Sequence, residues 1–305
     1  MYRIQVVMST YNGELYIEEQ INSIFNQKGC EIDLLIRDDG STDNTINIIK
    51  RLSQKYKIKL LIGENLRPAK SFLTALKLSD KDRDYYAFSD QDDYWQDDKI
   101  ISAIHLIEKE NKNLSILYTG NLCAVDKNLN ILNEKILSED ININYRSIIA
   151  SSSQLFGCTM VFNKKLRDYV CRCEFNNPIM HDLWVGLLAS LNGKIVYDPK
   201  PHILYRQHGN NQVGSQLTFK DKMKNRINFL KGHDRGNIAR QAKDIYKIIE
   251  NDNEISDDIK DYTKIVAFYN KSLKNKLYYL KKVDKTGFTI KRFLFHVILI
   301  LGGNL

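Results

Sequence analysis

The 305-residue chain has no apolar stretch approaching the ~20 residues needed to span a bilayer, so a transmembrane protein is not expected. A secretory leader is not expected either. Met1-Tyr2-Arg3 runs straight into an apolar segment instead of a basic-then-apolar signal, and a cytoplasmic location is expected. Cysteine is sparse: Cys30, Cys123, Cys158, Cys171 and Cys173 are odd in number and share no repeated spacing, which argues against a disulfide framework and for a reducing compartment. Cys171-Arg172-Cys173 has no second pair to complete a thiolate metal site. No glycine-rich phosphate loop follows the first apolar run, where Ser9-Thr10-Tyr11-Asn12-Gly13 stands in its place. Internal repeats and low-complexity segments are also missing.

What is present is an ordinary globular composition long enough for a large core, and a single domain with an appendage suits the length. The formal charge of +8 is unevenly placed. Residues 215–305 hold 19 Lys and Arg against 10 Asp and Glu, leaving 26 against 27 in residues 1–214. The body is near neutral and the tail basic, dividing the chain into a domain over 1–214 and a helical C-terminal region over 215–305.

Hydrophobic periodicity alternates along the body. Ile4 to Met8 reads as a strand and Glu14 to Asn26 as a helix; Ile32 to Ile36, Lys59 to Ile62 and Tyr85 to Ser89 read as further strands, with helices over Thr45 to Leu52 and Ser71 to Leu78 between them. Such alternation predicts an α/β fold with a mostly parallel sheet flanked by helices. Further on, a helix is expected from Lys99 to Glu110, a strand-like run from Leu155 to Phe162, a helix opening at His181 and a short strand over Ile195 to Tyr197. In open sheets of this kind ligands bind beyond the carboxyl ends of the strands.

The acid-rich loops fall there. Asp90, Asp92 and Asp93 crowd three carboxylates behind an apolar strand, an arrangement that is costly unless a cation compensates it. Asp90 and Asp92 sit at alternate positions and can point to one side of an extended segment. Their oxygens suit Mg²⁺ or Mn²⁺, with room left for phosphate. The plainer reading is a strand-end turn with solvated acids, or Asp93 capping a helix. Asp38-Asp39-Gly40-Ser41 offers carboxylates to a base N–H or to ribose hydroxyls, or forms a strand-to-helix turn with Asp43 near the helix N-terminus.

Taken together, Val7 to Gly13, Arg37 to Asp43 and Phe88 to Asp93 resemble the motifs of inverting family 2 glycosyltransferases with the Rossmann-like GT-A fold. Tyr94-Trp95, His181-Asp182-Leu183-Trp184 and Tyr205 to Asn211 resemble a branch that includes rhamnosyltransferases of bacterial cell-surface polysaccharide synthesis. The resemblance spans roughly residues 1–214. It implies that Thr10, Tyr11, Asn12, Asp38, Asp39, Asp90, Gln91 and Arg206 border the nucleotide sugar, and that Asp90, Asp92 and His208 address the metal. Asp182 becomes the base of a single displacement, against the alternative of a helix N-terminal cap. A nucleotide-sugar donor, first of all dTDP-rhamnose with a UDP-hexose open, and a saccharide or lipid-linked saccharide acceptor are implied. Trp95 and Trp184 stand between sugar stacking and core packing. Arg67-Pro68 occupies a segment where relatives commonly carry glycine, and Arg67 and Lys70 are either diphosphate contacts or solvated.

The basic tail closes on the apolar run Phe293 to Leu301, which fits either reversible attachment to an anionic membrane surface or a helical bundle packed on the body. Nucleic acid is not an expected partner, since no recognised binding module accompanies the basic charge. A sugar nucleotidyltransferase and a noncatalytic nucleotide-sugar-binding protein are the competing readings. The first would call for the glycine-rich phosphate loop that is missing here.

Overall fold

The structure is a computed structural model that describes residues 1–139, 141–150, 154–207, 236–282 and 290–305. Two compact units emerge. One comprises Met1–Ile141, Leu155–Cys173 and Met180–His208; the other comprises Asn142–Gln154, Glu174–Ile179 and Gly209–Leu305.

The first unit begins with strand β1 (Tyr2–Thr10), helix α1 (Ile17–Phe25), β2 (Cys30–Asp38), α2 (Thr45–Leu52), β3 (Ile58–Ile62), α3 (Arg67–Lys77) and β4 (Tyr85–Ser89). Its strands are apolar on both faces because helices cover both: Tyr86, Ala87, Phe88 and Ser89 of β4 are all buried. Helix α1 repeats Ile17, Ile21 and Ile24 at helical spacing and buries each of them. The unit continues with β5 (Tyr94–Trp95), α4 (Lys99–Ile107), β6 (Ser115–Val125) and β7 (Ile131–Asn133). After α5 (Tyr145–Ile149), which belongs to the second unit, come β8 (Val161–Asn163), α6 (Lys164–Arg172), α7 (His181–Asn192) and β9 (Gly193–Arg206).

The sheet order is β3-β2-β1-β4-β8-β6-β9-β5, with β7 paired to β6. The β3-β2-β1-β4 half is parallel, and β8 pairs antiparallel to both β4 and β6. Register positions the site: Thr10 lies opposite Asp38 and Met8 opposite Ser89, so the loops after β1, β2 and β4 leave the sheet at one edge.

Two expectations change. The segment Ile195 to Tyr197 is part of a 14-residue strand, β9, which pairs parallel to β6 along its whole course. Pro199 and Pro201 do not end it, because the register jumps from Gly120–Asp198 to Asn121–Pro201 and leaves Pro199 and Lys200 in a bulge. The run Leu155 to Phe162 is mostly not strand. A single turn over Gly157–Thr159 precedes the three-residue β8.

The second unit is helical, with α5, α8 (Asn237–Ile249), α9 (Asp257–Phe268), α10 (Leu273–Lys282) and α11 (Ile290–Gly302). Ile238, Ala242, Ile245 and Ile249 of α8 are buried, as are Tyr262 and Val266 of α9. Arg146 of α5 clamps the Asp258 carboxylate through two hydrogen bonds of 2.9 and 2.8 Å, and the hydroxyls of Tyr145 and Thr263 meet at 2.5 Å. Among the described residues no helix is long and apolar enough to cross a membrane.

Candidate active site

The loops at the sheet edge are bonded to one another. The Gln91 side-chain oxygen accepts from Thr10 Oγ1 at 2.5 Å and from the Tyr11 backbone N–H at 3.0 Å, while its amide donates to the Tyr11 carbonyl at 3.2 Å. This bracket joins the loop after β1 to the acidic turn after β4. Gly13 permits the approach, since a Cβ there would sit 2.4 Å from Gln91 Oε1. Asn12, at a φ of +49°, accepts from the Thr42 N–H at 2.8 Å, and its own N–H donates to Ser41 Oγ at 2.9 Å. The first loop is thereby tied to the second as well. Tyr11 projects from this frame about half exposed, whereas Thr10 is buried.

Asp38 and Asp39 are both buried. Asp38 closes its own turn by accepting from the N–H groups of Gly40 and Ser41 at 3.0 and 2.8 Å and from Ser41 Oγ at 2.5 Å. Asp39 pairs with Arg37, accepts from Ser71 Oγ at 2.7 Å and from the Leu66 N–H at 3.1 Å, and so holds the loop leading to α3. That loop runs into Arg67, the first residue of α3, whose φ of +64° is a left-handed conformation that glycine adopts without steric cost. Arg67 and Lys70 are both exposed.

The acidic turn separates its three carboxylates. Asp93 is fully buried, with Oδ1 accepting the Arg206 N–H at 3.1 Å and Oδ2 left without a hydrogen-bond partner among the described residues. Asp90 and Asp92 are half-buried. Burial, then the charges of Asp92 and Asp182, push the Asp90 carboxyl up to about 7. Asp90, Asp93 and Cys158 present ligand-type atoms within 4.8 Å of one another. Cys158 is nevertheless a poor metal ligand: burial and the neighbouring acids hold its thiol well above the usual range, and it donates a hydrogen bond to Asp90. The oxygens of Asp90 and Asp92 remain, and their crowding fits a divalent cation. Behind them Lys99 lies buried over the Trp95 ring, 3.8 Å from its centroid, and burial lowers its ammonium to about 7.

Arg206 is directed inward rather than toward the loop edge. It is 1% exposed, donates through Nε to the Asp92 carbonyl at 2.8 Å and through Nη1 to the Lys127 carbonyl at 2.5 Å, pairs with Glu19, and stacks on Tyr16 at 4.6 Å. A phosphate-binding arginine and a buried clamp look alike in sequence, and the burial and inward partners of Arg206 mark it as the clamp. His208 lies outside the described residues.

Asp182 stands in the first turn of α7, where Met180 occupies the N-cap position without a side-chain cap. Its carboxylate accepts the Leu183 N–H at 2.6 Å and a further hydrogen bond from the Gly157 backbone. Burial outweighs these bonds and raises it to about 6. The Asp182 charge is among the causes that raise Asp90, so α7 and the end of β4 bring these two acids within electrostatic reach. His181 beside it is buried, stacked on Phe72 with ring centroids 3.9 Å apart, and burial lowers it to about 3. A Cβ on Gly157 would meet the His181 ring at 2.2 Å, so a glycine is required against it. Trp95 and Trp184 are 1% and 0% exposed and belong to the core, which removes them as sugar-stacking platforms.

Linked polar loops at the edge of the parallel half, with an acid pair at one strand end and a further acid on α7, make this edge the candidate active site. The chain belongs to glycosyl transferase family 2, whose family model matches residues 5–166. It is 37% identical over 230 residues to the dTDP-rhamnosyl transferase RfbG of Shigella flexneri, covering 71% of this chain and 77% of that one. Identity is 29% over 197 residues to the UDP-Glc:alpha-D-GlcNAc-diphosphoundecaprenol beta-1,3-glucosyltransferase WfgD of Escherichia coli, covering 63% and 72%. Among solved structures, residues 1–349 of Staphylococcus aureus TarS in complex with UDP-GlcNAc align with a TM-score of 0.56 and 17% identity over 93% of this chain and 82% of that chain, a likeness of fold.

Proposed function

We propose that this glycosyltransferase moves rhamnose from dTDP-rhamnose to a lipid-linked saccharide in cell-surface polysaccharide synthesis, by one inverting displacement with Asp182 as base. The observation that carries the mechanism is the Asp182 carboxylate in the first turn of α7, held by the Leu183 N–H and with a charge that is among the causes raising Asp90 at the end of β4. In the step we infer, the acceptor hydroxyl loses its proton to the Asp182 carboxylate as its oxygen bonds to the anomeric carbon. The bond from that carbon to the diphosphate breaks on the opposite face, and the leaving oxygen takes the electron pair. With no enzyme nucleophile, one inversion results.

Asp90 and Asp92 would hold Mg²⁺ or Mn²⁺, which when bound supplies charge stabilisation to the departing diphosphate. The fit rests on their oxygen donors and on the burial, with the neighbouring Asp92 charge second, that raises Asp90. Thr10, Tyr11, Asn12 and Gln91 frame the donor side, with the exposed Tyr11 ring offering a face to the base. Asp38 and Asp39 support that frame by fixing its turns. Rhamnose is favoured by the identity to the Shigella enzyme, and a lipid-linked acceptor by the diphosphoundecaprenol in the name of the Escherichia coli relative. That relative also supports a second reading, UDP-glucose as donor. The reaction would then take place on the cytoplasmic face of the membrane.

A thermal-shift screen of nucleotide sugars with and without Mn²⁺ or Mg²⁺ tests the donor, because binding to the folded state raises apparent stability. dTDP-rhamnose with metal is expected to raise Tm most. An equal or larger shift with UDP-glucose would replace the first reading by the second.

A further inference from the structure

The helical unit carries apolar surface that its own packing leaves outside. On α11, Leu294, Ile298 and Leu301 are 57%, 57% and 48% exposed and recur at the spacing of one helix face, whereas His296, Leu299 and Ile300 are buried. On α10, Leu273, Leu277 and Tyr278 are 66%, 48% and 49% exposed. The two helices are pinned together. The Tyr279 hydroxyl lies 3.2 Å from His296 Nε2, and Lys276 Nζ donates to the Leu301 carbonyl at 2.8 Å.

Charge decides what such a surface meets. Residues 271–305 contain eight lysines and arginines against the single acid Asp284, and neither α10 nor α11 contains an acid. We propose that the α10–α11 hairpin is a docking surface for an anionic lipid bilayer, lying in the interface without crossing it. An apolar stripe beside a strongly basic sequence is the pattern of interfacial helices, in which acyl chains take the apolar face and acidic headgroups take the lysines. At 13 residues α11 is about 20 Å long, short of the roughly 30 Å hydrocarbon core. A second copy of the chain is a poorer occupant, since an isologous contact would set one basic surface against its twin. The proposal does not depend on the donor or on the acceptor.

Co-sedimentation of the full chain with vesicles tests it, using phosphatidylcholine alone and phosphatidylcholine mixed with phosphatidylglycerol. The unaltered protein is expected to pellet with the mixed vesicles, to stay in solution with the neutral ones, and to be released by salt. Lys281→Glu with Lys282→Glu should weaken binding by roughly fivefold or more per charge. Leu294→Glu with Ile298→Glu should weaken it at least about tenfold, with the circular dichroism spectrum unchanged. Equal partition onto both vesicle types, or none onto either, overturns the proposal. A dimer that the double glutamate variant dissociates, without vesicle binding, assigns the face to a second copy and overturns it as well. The lipid comparison uses unaltered protein and stands even if a variant fails to fold.

Discussion

Replacing Asp182 by asparagine should stabilise the protein while abolishing transfer. Its carboxyl sits at about 6 in the fold against an ordinary 3.8, with burial the leading cause. The folded state therefore binds this proton more tightly than the unfolded one. Below pH 4 the group is protonated in both states and costs nothing. As pH rises through the interval from 4 to 6 the wild type loses stability, and above about 6 the loss is complete. Two units at 1.36 kcal/mol each give about 3 kcal/mol, to order of magnitude. Asparagine keeps an oxygen for the Leu183 and Gly157 N–H groups but accepts more weakly, which takes back about 1 kcal/mol. A net gain of about 2 kcal/mol should raise Tm by roughly 3 °C at pH 7.5. Differential scanning calorimetry of both proteins from pH 4 to pH 8 reads this directly, with the curves converging at the acid end. Parallel curves, or a lower Tm for the variant at pH 7.5, would refute the electrostatic account; near-normal turnover would remove Asp182 as the base.

Gln91→Ala removes the bracket between Thr10, Tyr11 and the acidic turn, and should raise the donor KM about tenfold, a cost of about 1.4 kcal/mol, while circular dichroism stays unchanged. Trp184→Ala should cost about 3–5 kcal/mol in urea unfolding, as a fully buried side chain does; unaltered stability with a raised acceptor KM would contradict its core placement. Arg206→Met leaves Glu19 and the carbonyls of Asp92 and Lys127 without their donor, and should destabilise by about 3 kcal/mol and weaken Mn²⁺ binding measured by titration calorimetry.

The loops after β1, β2 and β4 were legible because buried strands end abruptly in polar residues, and helical spacing between them implied parallel neighbours whose ends share an edge. The helical character of the described C-terminal residues was likewise visible in a Lys- and Tyr-rich sequence with few glycines. What the chain did not disclose is which way a polar or aromatic side chain turns. Arg206 and Trp95 flank loops that look exposed, yet β5 pairs with β9 and sets Trp95 opposite Ile203 with its indole buried, while Arg206 turns onto Glu19 and the carbonyls of Asp92 and Lys127. The 14-residue β9 was hidden by its prolines, whose missing N–H groups usually end a strand, but here Pro199 falls in a bulge and Pro201 resumes the register opposite Asn121. Cys158, incidental by spacing, became a neighbour of Asp90 only through the short β8 inserted beside β4.

The most direct test is release of nucleoside diphosphate from dTDP-rhamnose in the presence of a lipid-linked saccharide, measured with Mn²⁺, with EDTA, and with Asp92→Ala. Turnover is expected with Mn²⁺, with a loss of at least about a hundredfold in the other two, as removal of a group stabilising transition-state charge would bring. Turnover that survives both EDTA and Asp92→Ala would contradict metal-assisted transfer.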